Sequence, residues 1–185
     1  MRIIGGTARG AALFAPKGLD TRPTRDQVKE SLFNILQGCV PEATVLDLFA
    51  GSGALGLESV SRGAARAGLV DRDREAGQCI RRNIEKLRFQ DRVALLQCDW
   101  TQAVQRLRAE GPRFDLVFLD PPYRMEALQA LCDTLAAEGL LAPEAVVVWE
   151  HRADVAPRLS AAFVPVKERS FGDTAFHLYR WTGEA

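Results

Sequence analysis

The chain reads as an α/β domain built on a doubly wound, mostly parallel seven-stranded sheet, and three observations lead there. Apolar runs near 44–49, 66–71, 92–98, 114–120 and 145–150 alternate with segments of helical spacing near 54–62, 73–88, 101–109 and 125–138. That order belongs to parallel strands joined by helices on both faces of a sheet. A glycine-rich turn, Gly51-Ser52-Gly53-Ala54-Leu55-Gly56, links the first run to its helix. The tail breaks the alternation: 161–169 and 174–181 have no helix between them and flank Ser170-Phe171-Gly172-Asp173. They read as a hairpin that adds an antiparallel strand to the sheet. With 185 residues, 47% of them apolar, the chain can fill one core. The reading divides it into an N-terminal extension over 1–40 and an α/β domain over 41–185.

From Arg2 to Phe14, two short apolar pieces flank a glycine-containing turn, which predicts a small hairpin. Pro16 and Gly18 end it. Leu19 to Thr24 is expected to be extended, because the residue before Pro23 avoids the helical region. Thr24 is then predicted to cap a helix from about Arg25 to Gln37, with Val28, Leu32, Phe33, Ile35 and Leu36 on its apolar face and Gly38 at its end.

Net charge is zero, which argues against a protein that coats nucleic acid, but the charge is unevenly placed. Residues 1–25 carry Arg2, Arg9, Lys17, Arg22 and Arg25 against Asp20 alone. A basic arm on a neutral body points to directed contact with phosphates, and Arg2, Arg9, Arg22, Thr24 and Arg25 are the candidate contacts. No apolar run approaches the roughly 20 residues that span a bilayer, and the Met1-Arg2 start lacks a signal-peptide core. A cytoplasmic protein is expected. Cys39, Cys79, Cys98 and Cys132 form no C-x-x-C, and the histidines are His151 and His177. Neither a metal site nor a disulfide framework is indicated.

Val45 to Gly56 carries the first chemical signal. Gly51, Gly53 and Gly56 fit G-x-G-x-x-G on a strand-to-helix turn, and Asp71 closes the second apolar run twenty residues after Gly51, where a carboxylate can accept from ribose hydroxyls. The pattern serves dinucleotides and S-adenosylmethionine alike. Asp47, just below the turn, suits a ligand bearing an amino group and a sulfonium better than a pyrophosphate. The competing reading is a buried, hydrogen-bonded strand carboxylate. Asp47, Asp71, Asp99 and Asp120 all stand at strand ends, where open α/β sheets bind ligands. Asp99 with Trp100 suits an adenine ring; alternatively Asp99 caps the next helix and Trp100 anchors the core.

Asp120-Pro121-Pro122-Tyr123 follows the fourth strand. Two prolines stiffen the turn and offer carbonyls without N–H groups, so the loop presents acceptors only. An exocyclic amine on a base needs two acceptors for its two hydrogens, and Tyr123 can stack on the ring.

With these motifs the sequence resembles the class I S-adenosylmethionine-dependent methyltransferases with a D/N-P-P-Y/F motif. Arg2-Ile3-Ile4-Gly5-Gly6, Arg22-Pro23-Thr24, Glu30-Ser31-Leu32-Phe33-Asn34, Asp47 to Glu58, Asp120 to Tyr123 and Gly172-Asp173-Thr174 resemble the bacterial RsmD-type guanine-N2 methyltransferases of small-subunit ribosomal RNA. The resemblance implies a Rossmann-like methyltransferase fold, S-adenosylmethionine as cofactor and 16S ribosomal RNA or the assembling small subunit as partner, with no metal or membrane, acting as a monomer. It implies cofactor contacts at Asp47, Phe49, Ala50, Gly51, Ser52, Gly53, Asp71, Arg72, Asp99 and Trp100, and catalysis at Asp120, Pro121, Pro122 and Tyr123. The chain departs from the family's pattern at Ala11, Ala12, Gln27 and Lys29, where basic side chains or arginines are usual, and at Asp71, where Glu is commoner. Three other readings stand beside it. They are an adenine-N6 methyltransferase, for which 57–119 and the short tail leave little room for a recognition domain; a nicotinamide-dependent oxidoreductase; and a non-enzymatic RNA-binding protein.

Overall fold

The computed structural model describes residues 1–18, 23–121, 125–154 and 158–183. Seven strands form one sheet: β1 (Thr44–Asp47), β2 (Arg66–Val70), β3 (Val93–Leu96), β4 (Phe114–Leu119), β5 (Leu141–Arg152), β6 (Phe163–Phe171) and β7 (Thr174–Trp181), in the order β3-β2-β1-β4-β5-β7-β6. The first five run parallel. β7 inserts antiparallel between β5 and β6, so β6 takes the edge. The helices are α1 (Pro23–Ile35), α2 (Ala54–Ser61), α3 (Arg74–Leu87), α4 (Trp100–Glu110) and α5 (Met125–Ala137). The doubly wound reading holds, and the order reverses beside β1, which leads to β2 on one side and β4 on the other. At such a switch point the strand ends open a crevice.

Both faces of the sheet are covered along its centre, which is why β1 and β4 read as near-continuous apolar runs, while the edge strand β6 is largely exposed. Val45, Leu69, Leu116, Phe118, Val148 and Phe176 face α1, α2 and α3, meeting Leu32, Phe33, Leu57 and Ile80. Their alternates Leu46, Val70, Val117, Leu119, Val147 and Trp149 face α4 and α5 through Val104, Leu107, Leu131 and Leu135. The four cysteines are free, three of them within this packing.

Three local readings need correction. α1 begins at Pro23, so Thr24 lies inside the helix and does not cap it; the fixed φ of proline suits the first helical position. β5 begins at Leu141, earlier than the apolar run from 145 indicated, because its pairing with β4 shifts register between Phe114 and Leu116 and so absorbs Pro143 and Glu144. The N-terminal segment turns back on itself but builds no ladder: one bridge joins Arg2 to Ala12, with Ile3 N donating to Ala11 O at 2.9 Å and Leu13 N to Met1 O at 3.1 Å.

That segment is fastened to α2 instead. Glu58, fully buried, accepts from Ile4 N and Gly5 N, each at 2.8 Å. Its carboxylate also meets Arg62 Nε at 2.8 Å and Lys29 Nζ at 3.1 Å. Ser61 Oγ donates to Gly5 O at 2.6 Å and accepts from Ala8 N at 2.9 Å. Gly6 has φ 77°, and a Cβ there would stand 1.8 Å from Ser61 O, so only glycine fits. Asn83 of α3, also fully buried, accepts from Phe14 N at 2.8 Å and donates to Phe14 O and Ser52 O, each at 2.9 Å. One side chain thus ties the end of the N-terminal segment to the glycine turn.

Candidate active site

The C-terminal ends of β1, β2, β4 and β5 open into two adjoining cavities. The larger, of about 470 Å³, is lined by Phe49, Asp71, Arg72, Asp99, Trp100 and Pro121 among others. The smaller, of about 120 Å³, lies toward α1 and is lined by Lys29, Asp47, Gly51, Ser52, Asp120 and Glu150 among others. Phe49 and Asp120 line both, so together they form one elongated cleft.

The glycine turn divides its labour. Gly51 and Gly53 take φ of 56° and 79°, the left-handed region that favours glycine. Gly56 serves packing: a Cβ there would come 2.1 Å from Leu69 Cδ2, so its absence lets α2 press on β2. The three glycine N–H groups of the turn are spent within the protein. Gly51 N donates to Asp71 Oδ2 at 2.8 Å, Gly53 N to Ala50 O at 2.7 Å and Gly56 N to Asp47 Oδ2 at 3.3 Å. Ala50, itself buried, is fixed by its N–H bond to Val70 O at 2.9 Å.

Each carboxylate therefore has a structural bond as well as a place in the cleft. Asp71 bridges the turn and Asp73 N, the latter at 2.9 Å. Asp99 is the N-cap of α4, its Oδ1 accepting from Thr101 N at 3.0 Å and Thr101 Oγ1 at 2.9 Å. Trp100 opens α4 and packs against the core while lining the larger cavity. For this pair, capping and core packing coexist with a cavity position, and the two sequence readings are not exclusive. Asp47 is the most perturbed: it is buried, and burial pushes its carboxyl from 3.8 to about 7, helped by the negative Asp120 and Asp71 and opposed by the Gly56 and Phe49 N–H groups. A cationic ligand group beside Asp47 would offset that cost.

Asp120 is exposed at the mouth, and Pro121 follows it half-buried. Pro122, Tyr123 and Arg22 lie outside the described residues, as do the side chains of Thr24 and Arg25. Arg2 and Arg9 line a separate cleft of about 290 Å³ together with Asp26 and Glu30, and Arg2 Nε meets Asp26 Oδ2 at 3.0 Å. Among the described residues no group of three His, Cys, Asp or Glu is placed to hold a metal ion, and no helix is long and apolar enough to cross a membrane.

Sequence reasoning missed Lys29, Glu58, Asn83 and Glu150 as parts of this assembly. Glu58 and Asn83 carried a usable signal: each is a polar residue on an otherwise apolar helix face, beside Leu57 and Val60 or between Ile80 and Ile84. Lys29 and Glu150 had none, because cavity lining depends on which elements meet.

A family model described as conserved hypothetical protein 95 matches residues 1–180. The ribosomal RNA small subunit methyltransferase D of Escherichia coli (strain K12) is 37% identical over 181 residues, covering 97% of this chain and 89% of that protein. YlbH of Bacillus subtilis (strain 168) is 35% identical over 184 residues, covering 99% and 100% respectively. The solved structure of yhhF from Escherichia coli superposes with a TM-score of 0.87 at 34% identity, covering 100% of this chain and 99% of that one. With a match of this length, and a site whose glycine turn and strand-end carboxylates open one cleft, the chain belongs to the conserved hypothetical protein 95 family of RsmD-type methyltransferases.

Proposed function

We propose that this protein transfers a methyl group from S-adenosylmethionine to the exocyclic N2 amine of a guanine in small-subunit ribosomal RNA. The observation that carries the reading is the single cleft in which Asp71, Asp99 and Asp47 line up toward Asp120. S-adenosylmethionine supplies, when bound, a methyl group activated by a positively charged sulfur. The residues fit such a molecule: the larger cavity offers a ring-sized indole at Trp100 and carboxylate acceptors at Asp71 and Asp99, Arg72 stands at its rim, and the smaller offers the strained Asp47 carboxylate. They fit a dinucleotide poorly, since the carboxylates of Asp47, Asp120 and Glu150 line the smaller cavity beside the turn, where a pyrophosphate would add further negative charge.

Toward the target, the Asp120 carboxylate and the Pro121 carbonyl accept the two amine hydrogens, which holds the nitrogen and aims its lone pair. Tyr123 stacks on the flipped base. After transfer the nitrogen loses a proton, which Asp120 or water takes up. Arg2, Arg9, Arg22, Thr24 and Arg25 contact RNA phosphates. The relative named ribosomal RNA small subunit methyltransferase D supports a ribosomal substrate and, with it, a cytoplasmic site of action. Purified protein, RNA from a strain lacking it and S-adenosylmethionine should together yield N2-methylguanosine in the nucleoside digest. N6-methyladenosine in its place would move the assignment to adenine, and no methylated nucleoside in free RNA or in isolated small subunits would end it.

A further inference from the structure

We infer that α3 and Phe14 form a further RNA-binding surface, on which one unpaired base stacks against Phe14 and Arg82 while phosphates lie along the row Arg74, Arg82 and Lys86. This rests on the RNA reading above. Arg74, Gln78, Arg82 and Lys86 recur at intervals of four, so they form a single row along the helix, and all four are exposed. Arg74 follows Asp73, which lines the larger cavity, so the row starts one residue beyond the cleft and runs about 18 Å along α3. Among the described residues no carboxylate forms an ion pair with its three cations. The two carboxylates of the helix, Glu75 and Glu85, stand outside the row, and Glu75 Oε1 accepts from Lys17 N at 3.0 Å. A line of cations that the fold leaves without counter-charges is complementary to a chain of phosphates.

Phe14 makes the surface specific to a nucleic acid with open bases. Among the described residues it is the one exposed aromatic side chain. Arg82 Cζ stands 3.6 Å from its ring centroid and Lys86 Nζ 5.3 Å from it, and Lys86 Nζ is steadied by Ala12 O at 2.6 Å. The fold does not depend on that ring. Asn83 holds the segment through the backbone N and O of Phe14, bonds that any residue there would allow, and a cation over an exposed ring contributes little to stability. To a nucleobase, an aromatic ring and a guanidinium plane are both stacking platforms, and the cations beside them are placed for the phosphates on either side of that base. An acidic protein surface would use the charges and leave the ring idle, and a duplex would keep its bases from the ring. Single-stranded RNA uses both.

The test is filter binding of small-subunit ribosomal RNA from a strain lacking the protein, with calorimetry of S-adenosylhomocysteine in parallel. Arg82→Gln combined with Lys86→Gln should weaken RNA binding about tenfold and lower the slope of log K against log salt by about 1.4, the change for two single-strand phosphates. Phe14→Ala should weaken binding about tenfold with the slope unchanged, in the range for loss of one base stack, and Phe14→Trp should keep wild-type affinity. Cofactor affinity should be the same throughout. Arg108→Gln, on α4 across the sheet and paired with Glu138, is the control and should bind RNA as wild type does. A double variant that binds RNA as the control does overturns the row, and Phe14→Ala with wild-type affinity overturns the stack. Irradiation of wild-type protein with RNA carrying 4-thiouridine needs no variant to fold: attachment within 14–17 or 74–86 supports the surface, and attachment confined to other segments overturns it. Wild-type protein that methylates the RNA while the double variant matches the control overturns this surface alone; wild-type protein that binds no RNA overturns the RNA reading and this surface with it.

Discussion

Asp47→Asn should make the ligand-free protein more stable and its stability less dependent on pH, while weakening its grip on the cofactor. The Asp47 carboxyl lies at about 7 in the folded protein against 3.8 ordinarily. Between those values the folded state holds a proton that the unfolded chain has released, so wild-type stability falls as pH rises through that window and is lowest above it. At about 1.4 kcal/mol per pH unit the full displacement corresponds to roughly 4 kcal/mol, an upper figure because local relaxation and water reduce it. Asparagine keeps an acceptor for Gly56 N–H and carries no charge. Urea unfolding at pH 5 and pH 8 should therefore show a gain for the mutant that is about 2–3 kcal/mol larger at pH 8, roughly 5–10 °C in Tm for a chain of this size. Cofactor affinity runs the other way: wild-type affinity rises with pH toward 8 as the carboxylate ionises, and the mutant loses about tenfold at pH 8. A mutant whose stability difference from wild type is the same at both pH values would refute the charge argument. One that is stabilised at pH 8 with cofactor affinity intact would leave Asp47 a role in the turn alone.

Asp120→Asn should keep appreciable methyl transfer, since the amide oxygen still accepts, whereas Asp120→Ala should lose at least about a hundredfold in single-turnover rate, about 2.7 kcal/mol, with cofactor binding unchanged; equal inactivity of both would recast Asp120 as a base. Gly6→Ala should destabilise the protein by about 2–4 kcal/mol in urea unfolding, because the new Cβ would stand 1.8 Å from Ser61 O at φ 77°. Gly10→Ala, at φ 87° but with nothing within 4 Å of the new Cβ, should cost only about 1–2 kcal/mol, and similar losses at both sites would refute the docking of this segment on α2. Joint replacement of Arg2, Arg9 and Arg25 by Gln should weaken RNA binding and flatten its salt dependence; a fall in cofactor affinity with RNA affinity intact would show that the arm serves the cleft and not the RNA.

Much of this protein is set by short-range pattern. The strand and helix alternation, the glycine turn, Asp71 twenty residues beyond it and Asp120-Pro121 after β4 are all local in the chain, and local geometry follows from residue type: glycine permits the φ of Gly51 and Gly53, and apolar runs demand a sheet covered on both faces. The tertiary structure decided what depends on partners far along the chain. Glu58 stands out in sequence as a carboxylate on an apolar helix face, but its partners Ile4, Gly5, Lys29 and Arg62 are visible only where the fold brings them to it. Asn83 had no visible purpose until Phe14 and Ser52 met it across 69 and 31 residues of sequence. The position of β7 between β5 and β6 was equally out of reach, because a terminal hairpin can close a sheet with either strand inward. A buried polar group must find its partners inside the fold, and sequence shows the group before it shows the partner. For the same reason Asp47 could be placed at a ligand site from its neighbours in the chain, while its raised pKa came only from the packing of α2 and the approach of Asp71 and Asp120.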